Sequence, residues 1–349
     1  MISSYKLKNK FLDDAFYFYD QIGTGPHPSF KSLIGKDLQN QQVMSFQNIL
    51  VDMNTLKILF TLLPHSKISS LRFASNIFTV RNLEFLITSL LTKPNNIYNF
   101  TFEWNDKISV DGIEYSMKDI KTFIDEKLLA DMNKSQELLV SLVTTEPYNL
   151  EALCLRGNFI GDVTAMKIFE GLKKNTYMRI LNLYKNDLTN ACMNVFGEML
   201  IVNRKLEEVN LGGNHLSDDT LRILKENSGK FLLSEEEYEE YTKLAKERQD
   251  IINKNVKLKA AKKPEMDVPF IDEVVSEDGK NYKVRNGTLR VVNLIQNDFT
   301  ENSFEDLIAV LDGIKELLIT VDLKAYNENQ REKLMDENGT YWNRIYFLK

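Results

Sequence analysis

Three nine-residue phrases decide the fold: Leu150-Glu-Ala-Leu-Cys-Leu-Arg-Gly-Asn158, Met178-Arg-Ile-Leu-Asn-Leu-Tyr-Lys-Asn186 and Leu206-Glu-Glu-Val-Asn-Leu-Gly-Gly-Asn214. They lie within Asn149–Asn227. Each begins 28 residues after the last, and each has an apolar residue two places past its Asn: Ile160, Leu188, Leu216. Leu153 and Leu155 are two apart, which places both on one face of a short strand and sends Ala152, Cys154 and Arg156 to the other. Past the Asn the period changes. Ile160, Val163, Met166, Phe169 and Leu172 recur every three residues, as the inner stripe of a helix does. One strand–helix unit cannot bury its apolar side alone, but stacked copies share a continuous core.

The spacing L-x-x-L-x-L-x-x-N is that of a leucine-rich repeat. Parallel strands stack about 4.8 Å apart and packed helices about 8–10 Å. The stack must therefore curve, as an α/β horseshoe with strands lining the concave side and helices the convex side. The Asn at each strand exit can answer backbone groups that stacked turns would bury unpaired. In repeat length and in the helix after each strand, the chain resembles the ribonuclease-inhibitor-like subfamily of leucine-rich repeats. That resemblance implies a binding scaffold, and in some relatives a regulator of an enzyme.

Outward from the centre the pattern continues on both sides. Upstream, Phe46, Ile49, Val51 and Asn54 fit it, as do Ile68, Leu71, Phe73 and Asn76, and then Ile97, Phe100, Phe102 and Asn105. Repeats thus span 46–227, with a degenerate repeat or insertion expected over 106–148. Residues 1–45 show no repeat and carry Phe11, Phe16, Phe18 and Ile22 ahead of a Gly/Pro-rich break, which fits an end cap or a docking arm. Past Asn227 the period fails. Ser234 and Glu237 form a capping-box pair at the start of a charged helix, whose thin apolar stripe is Tyr238, Tyr241, Leu244, Ile251 and Ile252. A basic run, Lys254 to Lys263, precedes an acidic one broken by Pro264 and Pro269, so 228–286 reads as an insertion: a projecting helix, then a flexible strap. The repeat resumes over 287–349, with Leu289, Val292, Leu294 and Asn297, then a worn copy, Leu318, Val321 and Leu323, in which Tyr326 takes the Asn position. The aromatic stretch Tyr341–Phe347 would close the open end. A strand resuming after a charged detour, over Asp272–Leu294, also resembles some leucine-rich-repeat proteins of cilia and flagella.

Composition narrows the function. The 349 residues carry 43% hydrophobic side chains and a net charge of −6, with an isoelectric point near 5.4. That balance argues against nucleic acid or an anionic membrane as partner. No apolar run approaches the roughly 18 residues of a membrane span. Met1–Asp20 is not a secretory signal, and two cysteines make no disulfide framework. Extracellular members of the resembled family carry cysteine-rich caps that are missing here, so the expected compartment is the cytoplasm or, by the weaker resemblance, an axoneme.

Chemistry is not visible. His27, His65 and His215 have no ligand partner at metal spacing, and Cys154 and Cys192 fit buried, inert thiols. The sequence holds no phosphate-binding loop, nucleophile elbow or zinc-protease helix. No metal, cofactor, small-molecule substrate or enzymatic activity is expected. What remains is a surface. Concave positions include Arg72, Glu103, Arg156, Ile180, Asn182, Tyr184, Glu208, Asn210, Val291, Asn293 and Ile295, in which large apolar groups sit among polar ones, as at interface centres. The first repeat would add Asn48, Leu50 and Asp52. With Tyr238, Tyr241, Leu244 and Ile251 of the insertion helix, these are the expected protein-binding residues of a scaffold within a cytoskeletal or axonemal assembly. The alternative is a GTPase-activating or inhibitor-type regulator, which would offer Arg156 or Arg72 to a nucleotide site.

Overall fold

A computed structural model describes residues 11–31, 42–120, 126–146, 149–314, 316–336 and 339–347. Its spine is a sheet of nine parallel strands: Val43–Gln47, Ser70–Ala74, Asn99–Glu103, Ala152–Cys154, Ile180–Asn182, Glu208–Asn210, Val291–Asn293, Leu318–Val321 and Ile345–Phe347, stacked in chain order. Leu153 lies opposite Leu181, and Leu181 opposite Val209, so the three phrases form consecutive rungs of one ladder. Helices Val80–Thr92, Glu126–Thr144, Asp162–Leu172, Met193–Val202, Asp219–Asn227 and Phe304–Gly313 pack side by side behind the strands. Between the two layers runs a single core, from Phe30 through Phe73, Leu153, Phe196 and Val292 to Ile345. The molecule is a leucine-rich-repeat solenoid.

The repeat asparagines explain why a polar residue recurs at the same buried place. Asn158 donates Nδ2 to the Phe102 carbonyl at 2.6 Å and accepts the Asn105 N–H at 3.1 Å. Its own N–H goes to Asn186 Oδ1 at 3.0 Å. Asn76, Asn105, Asn186, Asn214 and Asn297 each donate to a carbonyl of the preceding rung in the same way. The residue before each Asn takes the left-handed conformation. Ser75, Trp104, Gly157, Lys185, Gly213 and Gln296 all have φ between 54° and 67°. That twist turns the amide inward and keeps the backbone ladder unbroken, with the Gly157 N–H reaching the Tyr184 carbonyl at 3.0 Å. Glycine takes this conformation without strain, whereas other residues bear about 1–2 kcal/mol, so its presence at 157 and 213 fits the position.

A second asparagine ladder, missed in the sequence, holds the other end of the strands. Asn175, Asn203 and Asn286 each stand three residues before the first repeat apolar residue. Each donates to a carbonyl near the end of the helix one repeat further back than the one it follows, at Val143, Leu172 and Leu200 respectively, and accepts the N–H groups that open its own strand. Asn175 and Asn203 are 28 residues apart, and Asn203 and Asn286 are 83 apart. The chain therefore leaves after Asn227 and returns in the same structural phase.

Four expectations are corrected. The first strand is Val43–Gln47, with Phe46 opposite Phe73. Ile49 thus stands where other repeats have their Asn, its N–H held by Asn76 Oδ1, and Asn54 lies inside helix Met53–Leu62. Asn48, Leu50 and Asp52 accordingly lie beyond that strand. Asp52 instead caps the helix through the Thr55 N–H at 2.9 Å. At the other end Ile319, not Val321, lies opposite Val292. The Asn place then falls on Lys324, while Tyr326 is buried edge-on to Phe304. Both slips have one cause: two residues separate the paired apolar positions in either frame, so a lone worn copy fits two registers.

Among its described residues, the 106–148 stretch holds no extra rung. It carries a hairpin, Lys107–Val110 with Ile113–Ser116, beside Ile77–Phe78, and a helix, Glu126–Thr144, that completes the third repeat. Ile108, Met117, Leu128 and Met132 form a small separate core beneath it. The strap expected within 228–286 is largely ordered. Strands Glu273–Glu277 and Lys280–Arg285 form a hairpin that adds Gly229–Leu232 as a third antiparallel strand. Residues 11–31 fold over the first rung, with Phe30 fully buried against Phe11, Tyr19 and Phe46. A docking arm drawn from 1–45 would have to come from 1–10 and 32–41, outside the described residues.

Candidate binding face

The strand register sets the middle residue of each rung in line across the concave face. Asn182, Asn210 and Asn293 are direct neighbours in that row. Each uses Oδ1 to accept the N–H two residues on, at Tyr184, Gly212 and Ile295, at 2.9–3.1 Å. This fixes the amide orientation, since the opposite one would set donor against donor. The Nδ2 groups make no hydrogen bond among the described residues, so the row is a line of N–H donors facing the concave side.

The apolar residues expected on this face divide. Ile180 is 38% exposed, while Ile295 is only 9% exposed and belongs to the wall more than to the surface. Val291 is half-buried and Glu208 exposed. Arg72 and Glu103 are taken up by one another: both Nε and Nη2 of Arg72 donate to Glu103 Oε1. That pair is internally compensated, and Arg72 is not presented as a free guanidinium.

Arg156 differs. Its guanidinium carbon lies 5.1 Å from the Trp104 ring and 4.7 Å from the Tyr184 ring, one from the rung before and one from the rung after. Trp104 reaches it by lying across Gly157, where a Cβ would meet the ring at 2.2 Å. Tyr184 crosses Gly212 and donates its hydroxyl to Gln296 Oε1 at 2.6 Å. The two glycines therefore clear the floor on which the two rings lie. Stacked cations of this kind are held at about 0.5–2 kcal/mol by ring electrostatics. Yet Arg156 makes no side-chain hydrogen bond or ion pair among the described residues, and its Nε is buried without a partner. Lys185, on the next turn, approaches the Tyr184 ring at 5.9 Å and is likewise unpaired there.

The insertion helix, Glu235–Ala260, is capped as its sequence requires, with Ser234 and Glu237 bonded reciprocally. Tyr238 and Tyr241 stack at 6.3 Å. The strap returns along the helix, held where Asn255 accepts the Met266 N–H and donates to its carbonyl, both at 2.7 Å, and where Arg248 reaches the Pro269 carbonyl. Tyr238, Tyr241 and Ile251 are half-covered, whereas Leu244 is exposed. Met266, Val268 and Phe270 are exposed as well.

The titratable groups give no catalytic constellation among the described residues. Burial pushes the Cys154 thiol up, and burial with the Asp162 contact pushes Cys192 up further, so neither is an activated nucleophile. His215 has acidic neighbours that sequence distance concealed: Asp187 at 3.7 Å and Asp298 at 3.8 Å, from the repeats on either side. No helix in the described residues is long and apolar enough to cross a membrane.

No family model matches the chain, and no curated protein does. Among solved structures it is similar to the crystal structure of a TLR13–ssRNA13 complex, at 15% identity and a TM-score of 0.30, over 84% of this chain. The chain spans 37% of the length of that one.

Proposed function

We propose that the protein is a non-enzymatic interaction scaffold of the ribonuclease-inhibitor-like kind, which holds a protein partner on the concave face. The observation that carries this reading is the polar floor of the concave face: oriented asparagine donors and an arginine lying over two rings, with exposed Ile180 on the same strand as Asn182. The asparagine Nδ2 groups and the Arg156 fork have no acceptor among the described residues, and interface centres combine such polar anchors with apolar contacts. The projecting helix and strap offer a second apolar surface, which suits a component of a larger cytoplasmic assembly such as a cytoskeletal or axonemal one. A GTPase-activating role is less well supported, since Arg72 is neutralised by Glu103 and Arg156 is clamped between two rings rather than free to reach into a neighbouring site. The test is to tag the full chain in its source cells and compare co-purifying proteins for wild type and for Ile180→Asp with Tyr184→Asp. Loss of partners that Leu244→Asp retains supports the concave face. Retention of every partner by the double variant refutes it.

A further inference from the structure

We infer that Arg156 is the anchor for a carboxylate carried by an extended, acidic segment of the partner protein. This rests on the concave-face reading above and specifies what that face selects.

The argument begins with what an unpaired guanidinium requires. Arg presents a planar fork of five N–H donors that matches a carboxylate in bidentate fashion. Here its carbon lies over the Trp104 ring at 5.1 Å and over the Tyr184 ring at 4.7 Å, one from the rung before and one from the rung after. The N–H groups, at the edge of the plane, are what it offers a ligand. Stacking fixes the side chain before any partner arrives, so little of its rotamer entropy remains to be lost on binding. Glu103 is nearby but its charge is taken by Arg72, and no other carboxylate pairs with Arg156 among the described residues.

In the neighbouring row, Cys154, two residues before Arg156, lies opposite Asn182, and the Nδ2 groups of Asn182, Asn210 and Asn293 run on along the concave face from the fifth to the seventh rung. They offer donors with no acceptors, as does Arg156, and so suit the oxygens of a chain that crosses the strands. The same features set the anion's size. The cationic spot is Arg156 with Lys185, whereas Glu208 is exposed on the rung beyond Tyr184. A single carboxylate gains from the first two charges and can avoid the third. A polyphosphate backbone of many charges would meet Glu208 and the negative field of the whole molecule. An acidic peptide is therefore favoured over a nucleic acid.

The test uses the full chain and a displayed random-peptide library. Wild-type protein is expected to select sequences that share one Asp or Glu, and a synthetic selected peptide is then measured by fluorescence anisotropy. Arg156→Gln is expected to weaken it about tenfold to a hundredfold, the range for a charged hydrogen-bonded contact, and Arg156→Lys to weaken it less. Changing the peptide's acid to its amide should weaken binding to wild type similarly but add nothing in Arg156→Gln, a coupling that altered folding alone would not produce. Peptides lost in Ile180→Asp with Tyr184→Asp, but lacking a shared acid or indifferent to Arg156→Gln, would overturn the anchor and leave the concave face standing. Peptides indifferent to all of these substitutions, or no selected peptide, would overturn both. Displacement of the peptide by oligouridylate at equal concentration would make the ligand a polyphosphate and overturn the proposal.

Discussion

At the residue scale, asparagine does two jobs in this chain, and burial decides which. Asn158 is 1% exposed and ties three successive repeats together through Phe102, Asn105 and Asn186. Asn158→Ala leaves a buried carbonyl and a buried N–H unanswered, and is expected to cost about 1–3 kcal/mol. Asn182→Ala removes one half-exposed acceptor, whose N–H partner can turn to water, and is expected to cost less than about 1 kcal/mol. Urea midpoints of the two variants at unchanged slope check the difference, and equal losses would refute it. His27 gives a prediction in pH. Its ring packs at 5.5 Å on Phe46, its Nδ1 accepts the Ser29 N–H at 3.1 Å, and burial holds its pKa below the ordinary 6.5 against the opposing pull of Asp52. The folded state thus refuses a proton that the unfolded chain accepts. Stability should fall as pH drops through about 6.5 and level off below the folded pKa. His27→Asn keeps an acceptor two residues before Ser29 and removes the titration. Thermal melts from pH 7.5 to 5 should therefore slope less for the variant than for wild type, and parallel slopes would exclude His27 as a source.

At the element scale, the projecting helix is held to its strap by few contacts, and this sets how the module should fail. The two 2.7 Å bonds between Asn255 and the Met266 backbone are the tightest link between the helix and a strap whose residues 261–270 are all exposed. Asn255→Ala is expected to raise hydrogen exchange and tryptic cleavage around Lys262–Lys263, with the main thermal transition unmoved, because local opening there disturbs none of the repeat core. A shifted main transition would show the strap to be part of that core. The sequence made the helix legible through its capping box, whereas of the hairpin Glu273–Arg285 it showed only the turn at Asp278, Gly279 and Lys280, where Asp278 and Gly279 both take positive φ, because the flanking strands are short, charged and half-exposed. The central repeats were legible because three adjacent copies fix one register. The first and last were misread because Ile49 and Lys324 stand where the Asn belongs. Of the concave face, the strand positions followed from period two alone. The burial of Ile295, the Arg72–Glu103 pair and the stacking of Arg156 depended on side chains from neighbouring rungs, which no single repeat records.

At the scale of the whole molecule, a solenoid is stabilised by contacts between neighbouring repeats, so the cost of removing a segment depends on whether it interrupts that chain of neighbours. The insertion does not interrupt it. Val292 pairs directly with Val209, the Leu216 N–H reaches Asn297 Oδ1 at 3.1 Å, and Thr300 bonds Asp218 through both N–H and hydroxyl. Asn286 closes the second ladder on Leu200, as Asn203 does on Leu172. The insertion's two ends meet, since Gly229 lies opposite Arg285 in an antiparallel pair, and a Cβ at 229 would meet the Gly313 backbone at 3.0 Å. Replacing Gly229–Arg285 by a short Gly/Ser link between Ser228 and Asn286 is therefore expected to leave a single cooperative melt, with a midpoint within a few degrees of the full chain. The same shortened protein should still bind an acidic peptide at Arg156 and lose whatever the projecting helix holds. Two separate melting transitions, or a collapse of the intrinsic fluorescence of Trp104 and Trp342, would instead mean that the repeats on either side of the junction depend on the insertion to stay in phase.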